Sequence, residues 1–138
     1  MGLMPLVIAR LRETGYQVWD SDVPDNAKPT YPHLVVGEDA PTPRRTPMTL
    51  AGTDDHQSVL VGIMSVGLTP NAVREIAVRA RGLLTEWAPG PDGGHFWHAP
   101  QHKPHYGRMI VRDKDTPPVN GRPVYWGSDF YEFFSTPK

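Results

Sequence analysis

The strongest hydrophobic pattern in the chain is a strand that leads into a helix. In residues 58–67, Val59, Val61 and Ile63 alternate with a second set of apolar residues. Because successive side chains of a strand point to opposite faces, we expect this strand to be central and covered on both sides. From 69 to 84 the apolar positions recur at a spacing of three and four residues, which predicts a helix.

Shorter patterns predict one more helix and four more strands. The first helix is expected to be amphipathic and to end at Gly15, a residue suited to the left-handed conformation. Clusters of proline and polar residues predict irregular connections between the compact elements. The predicted elements are a helix over 3–14, strands over 16–19, 31–38, 106–113 and 123–134, and irregular segments over 39–56 and 89–105.

This order of elements predicts an α+β fold, with an antiparallel or mixed β-sheet, two main helices on one face and long irregular loops. The length of 138 residues predicts a single domain, 1–138, with a flexible loop at 39–56 and a His- and Pro-rich insert at 89–105. Gly62 predicts a bulge or a close approach of the helix, and Gly82 a close packing contact.

Composition narrows the range of functions. The chain has no cysteine, which excludes a disulfide framework and thiolate metal sites. Fourteen basic and fifteen acidic residues give a net charge of −1, so no general attraction to nucleic acid is expected. No apolar run approaches the roughly 20 residues that a membrane span requires. We therefore expect neither a specific nucleic-acid partner nor a membrane partner.

Four of the six histidines lie together in the insert, and imidazole is a good ligand for zinc, nickel and copper. Pro100 and Pro104 prevent the regular helix of a metalloprotease motif, and no carboxylate lies among the histidines to act as a base. We therefore expect a polar, aromatic segment with no metal or other cofactor. The weaker alternative is a metal site with the ligands His95, His98, His102 and His105.

Charged and aromatic residues supply candidates for a protein interface. A loop as long as 39–56 is either a mobile surface loop or a segment that orders on meeting a partner. Its Asp-Asp-His sequence at 54–56 resembles part of an acid/base site, but no activated serine or cysteine completes it, so we predict no catalytic residue. The last strand is aromatic on both faces, so part of it is expected to contact another protein. The interface candidates are Arg44, Arg45, Asp54, Asp55, Arg79, Arg81, Tyr131 and Phe133.

Four features together resemble those of a known family. They are the short N-terminal helix, the YPHLVVGE strand at 31–38, the polar loop before the strand 57–66 and its helix 70–84, and the aromatic DFYEFF segment at 129–134. With these features the chain resembles the tail terminator, or tail completion, proteins of long-tailed phages with non-contractile tails. The pattern covers most of the chain, although the insert 89–105 departs from it.

The resemblance implies a structural protein without turnover. Such a subunit forms a homo-hexameric ring in the virion, caps the head-proximal end of the tail tube and offers a surface to the head–tail connector or stopper protein. It would be assembled in the host cytoplasm, and 39–56 would order on assembly. The sheet face that the helices leave uncovered would form one subunit contact or the ring lumen. The alternatives are another head–tail joining or minor tail protein, a small metal-dependent hydrolase, and a small cellular binding domain.

Overall fold

Nine strands and two helices form the part of the chain that the computed structural model describes, which is residues 2–38, 42–43, 57–104 and 107–137. The helices are α1 (Leu3–Leu11), which continues into one 3₁₀ turn (Arg12–Thr14), and α2 (Pro70–Leu84). The strands are β1 (Gln17–Asp20), β2 (His33–Glu38), β3 (Thr42–Pro43), β4 (Gln57–Gly67), β5 (Gly90–Asp92), β6 (His95–Trp97), β7 (Gln101–His102), β8 (Arg108–Asp113) and β9 (Val124–Pro137).

The strands form one mixed sheet in the order β1–β2–β4–β9–β6–β5. β1 and β2 run parallel, and the other pairs are antiparallel. β3 also pairs with β4, while β7 and β8 pair with β9. The α+β class and the mixed sheet predicted from the sequence are confirmed, as is the hairpin of β8 and β9.

One face of the sheet carries the hydrophobic core. Residues that lie opposite each other on paired strands share a face, so the register identifies its members. Val36 lies opposite Ile63, and Val61 lies opposite Tyr131. All four side chains are at most 1% exposed. They share one core with buried residues of both helices, which are Leu3, Met4, Val7, Ile8 and Leu11 in α1 and Ile76, Ala80 and Leu84 in α2.

The start of α2 is set by its capping residues. The backbone amide of Ala72 donates a hydrogen bond of 3.1 Å to Oγ1 of Thr69, and Pro70 occupies the first helical turn, where no backbone donor is needed. At the other end, Nε of Arg10 in α1 donates to the carbonyl of Leu83 at 2.9 Å. This bond ties α1 to the C-terminal end of α2, whose carbonyls lack partners within the helix.

The structure corrects the expectation that the central strand is covered on both sides. In β4, Val59, Val61 and Ile63 are buried in the core, but Leu60 and Met64 on the other side are only half-buried. Val66 on that second side is 7% exposed, so the second side of the strand is covered at its C-terminal end only.

The insert 89–105 contains more regular structure than expected. β5 and β6 form a hairpin, and β6 and β7 each pair with β9. Pro91 fits within β5 because this is the outermost strand of the sheet, where a missing backbone donor is tolerated. Trp97 of β6 is 5% exposed and joins the core. The pairing partner for β6 and β7 is the C-terminal half of β9, which runs three residues beyond the predicted end at 134.

Two glycines have different surroundings from those predicted. β4 and β9 keep a regular register at Gly62, and a Cβ atom there would lie 2.8 Å from Cε1 of Phe130, so the close neighbour is an aromatic ring and not the helix. A Cβ at Gly82 would meet no described heavy atom within 4 Å other than those of its chain neighbours and of its own helix backbone, so the predicted close packing contact is not found among the described residues. Gly15 has a φ of 84°, which confirms its predicted left-handed conformation.

Within the predicted loop 39–56, the structure describes only Thr42–Pro43, which pair with Ser58 and Gln57 of β4. The prediction of irregular structure is therefore wrong at these two positions, which form a short strand. The rest of the prediction for this loop lies outside the described residues.

Candidate interaction surface

The face of the sheet opposite the core is the first candidate site. Its members follow from the same registers, since Val35 lies opposite Met64 and Gly62 opposite Phe130. Apolar residues along the middle of this face line a groove of about 350 Å³. We call this surface the open face and define it by Val35, Leu60, Gly62, Met64, Trp126 and Phe130.

The open face is apolar because the two long strands carry apolar residues at both alternating positions. Leu60 and Met64 of β4 lie between the core residues of that strand, and Trp126 and Phe130 do the same in β9. All four side chains are half-buried. Gly62 leaves room for the ring of Phe130 across the strand. A contiguous apolar surface of this kind marks a protein–protein or ligand contact more often than an ordinary surface.

Two neighbouring carboxylates lie at the ends of β1 and β2. Asp20 lies opposite Val36 and Glu38 lies opposite Val61, and both partners are core residues, so the two acids extend from the core side of the sheet. Glu38 also borders the groove at its edge, together with Ser21. Partial burial raises the pKa of Glu38, and the negative charge of Asp20 raises it further. The hydroxyl of Ser21 donates to Oδ1 of Asp20 at 2.9 Å, and within the described ranges no cation forms an ion pair with either carboxylate.

The edge of the sheet at β8 carries exposed apolar and charged side chains. β8 pairs with β9 on one side only, and an irregularity in its register lies within 108–111. Met109 is 84% exposed and Val111 is 43% exposed. Arg112 and Lys114 are also exposed, and neither forms an ion pair with another described residue. This edge therefore combines projecting apolar side chains with charges of both signs, since Asp113 and Asp115 alternate with the two cations, and we call it the β8 edge.

A second polar cluster lies beside the C-terminal half of α2. The guanidinium of Arg81 lies 3.3 Å from Oδ1 of Asp129, and Nε2 of His102 lies 3.0 Å from the same oxygen. The His102 ring lies 5.1 Å from the ring of Tyr131. Burial, and then the charge of Asp129, raise the pKa of Tyr131 to about 12. The phenol therefore stays neutral near pH 7, and the cluster joins α2 and β7 to β9.

The predicted aromatic contact residues lie in the core. Tyr131 is 1% exposed and Phe133 is 0% exposed, because odd-numbered positions in this part of β9 face the helices. A folded subunit cannot offer either ring to a partner, so this expectation is corrected. Trp126 and Phe130, at even-numbered positions of the same strand, line the open face instead.

The predicted arginines of α2 both have partners within the chain. The guanidinium carbon of Arg79 lies 5.6 Å from the centre of the Tyr16 ring, which is the geometry of a cation–π contact. Arg81 contacts Asp129 and keeps 44% of its side chain exposed. The other charged candidates, Arg44, Arg45, Asp54 and Asp55, lie outside the described residues.

The histidines of the insert do not converge. His95 lies opposite Pro137, and His102 lies opposite Tyr131. Those β9 positions are six residues apart, or roughly 20 Å at ~3.3 Å per residue. Nε2 of His98 lies 2.9 Å from Oγ1 of Thr136. Accordingly, no group of three or more possible ligands that could hold a metal ion occurs among the described residues, and His105 lies outside them.

Sequence reasoning missed the residues that distinguish the open face and the β8 edge. Met109, Ile110 and Val111 are three consecutive apolar residues, so alternation alone cannot say which of them is exposed. The signal that could have found the open face is the even-numbered apolar series in β4 and β9. It becomes readable only when the core face of each strand is known.

Neither helix in the described part of the chain is both long enough and apolar enough to cross a membrane. In comparisons with known proteins, no protein-family model matches the chain, and no curated protein matches it significantly.

Proposed function

We propose that this chain is a phage tail terminator that forms a hexameric ring, caps the tail tube and joins it to the head connector. In this role the protein works by binding and not by turnover. The ring would be part of the virion, at the head-proximal end of the tail. The resemblance of the four sequence features is the reason for choosing this family of assemblies.

The observation that carries the proposal is the open face. A groove of about 350 Å³ crosses the middle of the sheet, and four large apolar side chains within it are only half-buried. In a protein that works as a monomer, such an exposed apolar surface lowers solubility and contributes nothing to function. In a subunit of a ring it is covered by a neighbour or by a protein that enters or abuts the ring.

The low net charge is compatible with self-association. At −1 it leaves little repulsion between copies of the chain.

The other readings have less support. Another head–tail joining or minor tail protein would use the same kind of open face, but it would bind the portal or adaptor instead of the tube. A metal-dependent hydrolase would need converging ligands, and His95 and His102 lie roughly 20 Å apart along β9. No observation favours the hydrolase.

Negative-stain electron microscopy of the concentrated protein tests the proposal. We expect closed rings with six-fold symmetry and, on addition of tail tubes from the same phage, rings bound at one tube end. Rings that do not bind tube ends but do bind the portal or adaptor would favour the head–tail joining alternative. Single particles of one subunit at every concentration would overturn the proposal.

A further inference from the structure

We propose that Asn120 is a site of spontaneous deamidation, and that it reacts when the turn that contains it opens. The residue lies in the connection between β8 and β9 and is followed by Gly121. The inference does not depend on the ring function proposed above. It follows from the chemistry of this pair of residues and from the conformation of their turn.

Asn120 and Gly121 are the two central residues of a tight turn. The amide of Val119 donates to the carbonyl of Arg122 at 2.8 Å, and the amide of Arg122 donates to the carbonyl of Val119 at 2.9 Å. Both central residues have a positive φ, which is 50° at Asn120 and 75° at Gly121. These features match a type I′ turn, for which Asn-Gly is a preferred sequence.

An asparagine that precedes a glycine is chemically reactive. The backbone nitrogen of Gly121 loses its proton to water or hydroxide and forms a bond to Cγ of Asn120, while the side-chain nitrogen takes up a proton and leaves as ammonia. Water then opens the resulting succinimide ring at either carbonyl and gives aspartate or isoaspartate. Glycine favours the attack because it has no Cβ atom to crowd the nitrogen. Both residues are exposed to water.

The closed turn holds the reacting atoms apart. The first central residue of a type I′ turn has a ψ of about +30°. At this angle, Cβ of Asn120 and the nitrogen of Gly121 lie on nearly opposite sides of the bond between Cα and the carbonyl carbon, whereas the ring needs them on the same side. The attack therefore requires a large rotation about this bond, which breaks the two hydrogen bonds between Val119 and Arg122.

Few interactions hold the turn closed. Pro118 and Pro123 flank the hydrogen-bonded pair, and proline has no amide hydrogen with which to extend the pairing. The next paired residues towards the strands are Asp113 and Val124. Because the turn residues 120–122 are exposed, opening removes little buried surface. Local opening is easiest in segments of this kind, so we expect the reaction to proceed in the folded protein.

The two products differ in their effect on the hairpin. Aspartate keeps the length of the backbone, and Asp-Gly is also a preferred sequence for this turn. Isoaspartate adds one methylene group to the backbone, so the two hydrogen bonds of the turn cannot both form with the same geometry. The amides of Val119 and Arg122 should therefore exchange hydrogen with solvent faster in the isoaspartate form, and unchanged exchange would contradict this effect.

Peptide mapping by mass spectrometry tests both the site and the role of the turn. The protein is incubated at mildly alkaline pH, folded in buffer and unfolded in guanidinium chloride. The other two asparagines, Asn26 and Asn71, both precede alanine and serve as internal controls. We expect conversion first at Asn120 in both conditions, and about tenfold to a hundredfold more slowly in the folded protein. Asn120→Gln keeps the amide on a longer side chain and should remove most of the ammonia release.

Val119→Gly tests the turn without changing the reacting pair. Glycine weakens the pairing at this position, so the variant should react severalfold faster than wild type in buffer and at the same rate in guanidinium chloride. Equal rates for the two folded proteins, or a wild type that reacts as fast folded as unfolded, would overturn the role of the turn. Earlier conversion at Asn26 or Asn71 would overturn the site. So would an intact Asn120 in the folded protein once the unfolded chain has reacted completely. Circular dichroism checks that each variant is folded.

Discussion

Phe133 and Phe130 lie on the same strand but on opposite faces of the sheet, and this difference predicts different costs of truncation. Phe133 is 0% exposed, lies opposite Val59, and has its ring edge-on to Trp87 at 6.5 Å. Replacing a fully buried phenylalanine by alanine costs about 3–5 kcal/mol, since it removes apolar contacts and leaves a cavity. We expect Phe133→Ala to lower the free energy of unfolding by about 4 kcal/mol.

Phe130→Ala is the matched control. Its ring is half-buried in the open face, so only part of the ~1.5–3 kcal/mol for a buried apolar side chain is lost, or about 1 kcal/mol. Urea unfolding, followed by far-UV circular dichroism, measures both values. It should be done at the lowest workable concentration, so that association does not add to stability. With a urea dependence of ~2 kcal/mol per molar, Phe133→Ala should lower the midpoint by about 2 M.

Equal losses for the two variants, or a larger loss for Phe130→Ala, would refute this assignment of faces. Side chains of a strand alternate with a period of two, so a shift of one residue would exchange every core residue of β9 with a residue of the open face. The comparison therefore tests the register of β9 as a whole. It also tests whether Phe130 lies on the less buried face of the sheet.

Three further predictions concern capping, pH and glycine. Thr69→Ala should lower the free energy of unfolding by about 1 kcal/mol because it removes the N-cap of α2, whereas Thr69→Ser should keep most of it; equal losses in urea unfolding would contradict the cap. Burial lowers the pKa of His33, although its Nδ1 bonds to the Thr30 carbonyl. The unfolded chain therefore takes up a proton at this residue before the folded chain does. The contribution of His33 to stability should be full above about pH 6.5 and should fall as the pH drops towards the folded-state pKa. Unfolding measured from pH 8 to 5 should show this slope, and His33→Asn should flatten it; an unchanged slope would assign it to other groups. Gly82→Ala should stabilise the protein by about 0.5–1 kcal/mol, because the position is helical and has room for a Cβ atom. Gly67→Ala should not stabilise it, because the new Cβ would lie 3.2 Å from the Cβ of Ala72. Thermal unfolding that ranks the two variants the other way would contradict this packing.

The sequence predicts the elements with strong local signals. The helix after Thr69 combines a capping residue, a proline at its first turn and apolar residues at helical spacing, and these signals agree. The end of the first helix was placed correctly at Gly15, although its last residues form a 3₁₀ turn after Leu11. Local chemistry is enough for such elements because capping and spacing act within a few residues.

The faces of the strands could not be predicted in the same way. β9 carries large aromatic residues at neighbouring positions, including Phe133 and Phe134, so its pattern has no polar side to mark the surface. Which side faces the core depends on its register with β4, and that is a long-range property. For this reason the sequence predicts Tyr131 at an interface, whereas the structure places Tyr131 in the core and Phe130 on the open face.

The short strands of the insert 89–105 escaped prediction for a related reason. β5, β6 and β7 are two or three residues long, and the prolines and glycines within β5 and between these strands favour loops. β6 and β7 become strands because each pairs with the long strand β9, and β5 then pairs with β6. The dispersion of the histidines follows from the same pairing, since it spaces them along β9.

A native mass spectrum at two protein concentrations tests most directly whether the protein is a ring-forming subunit, as proposed, or a metal enzyme. For a ring-forming subunit we expect a metal-free species with six times the 15.4 kDa chain mass, or a metal-free monomer that converts to this species as the concentration rises. A monomer at both concentrations, carrying one tightly bound zinc ion per chain, would contradict it.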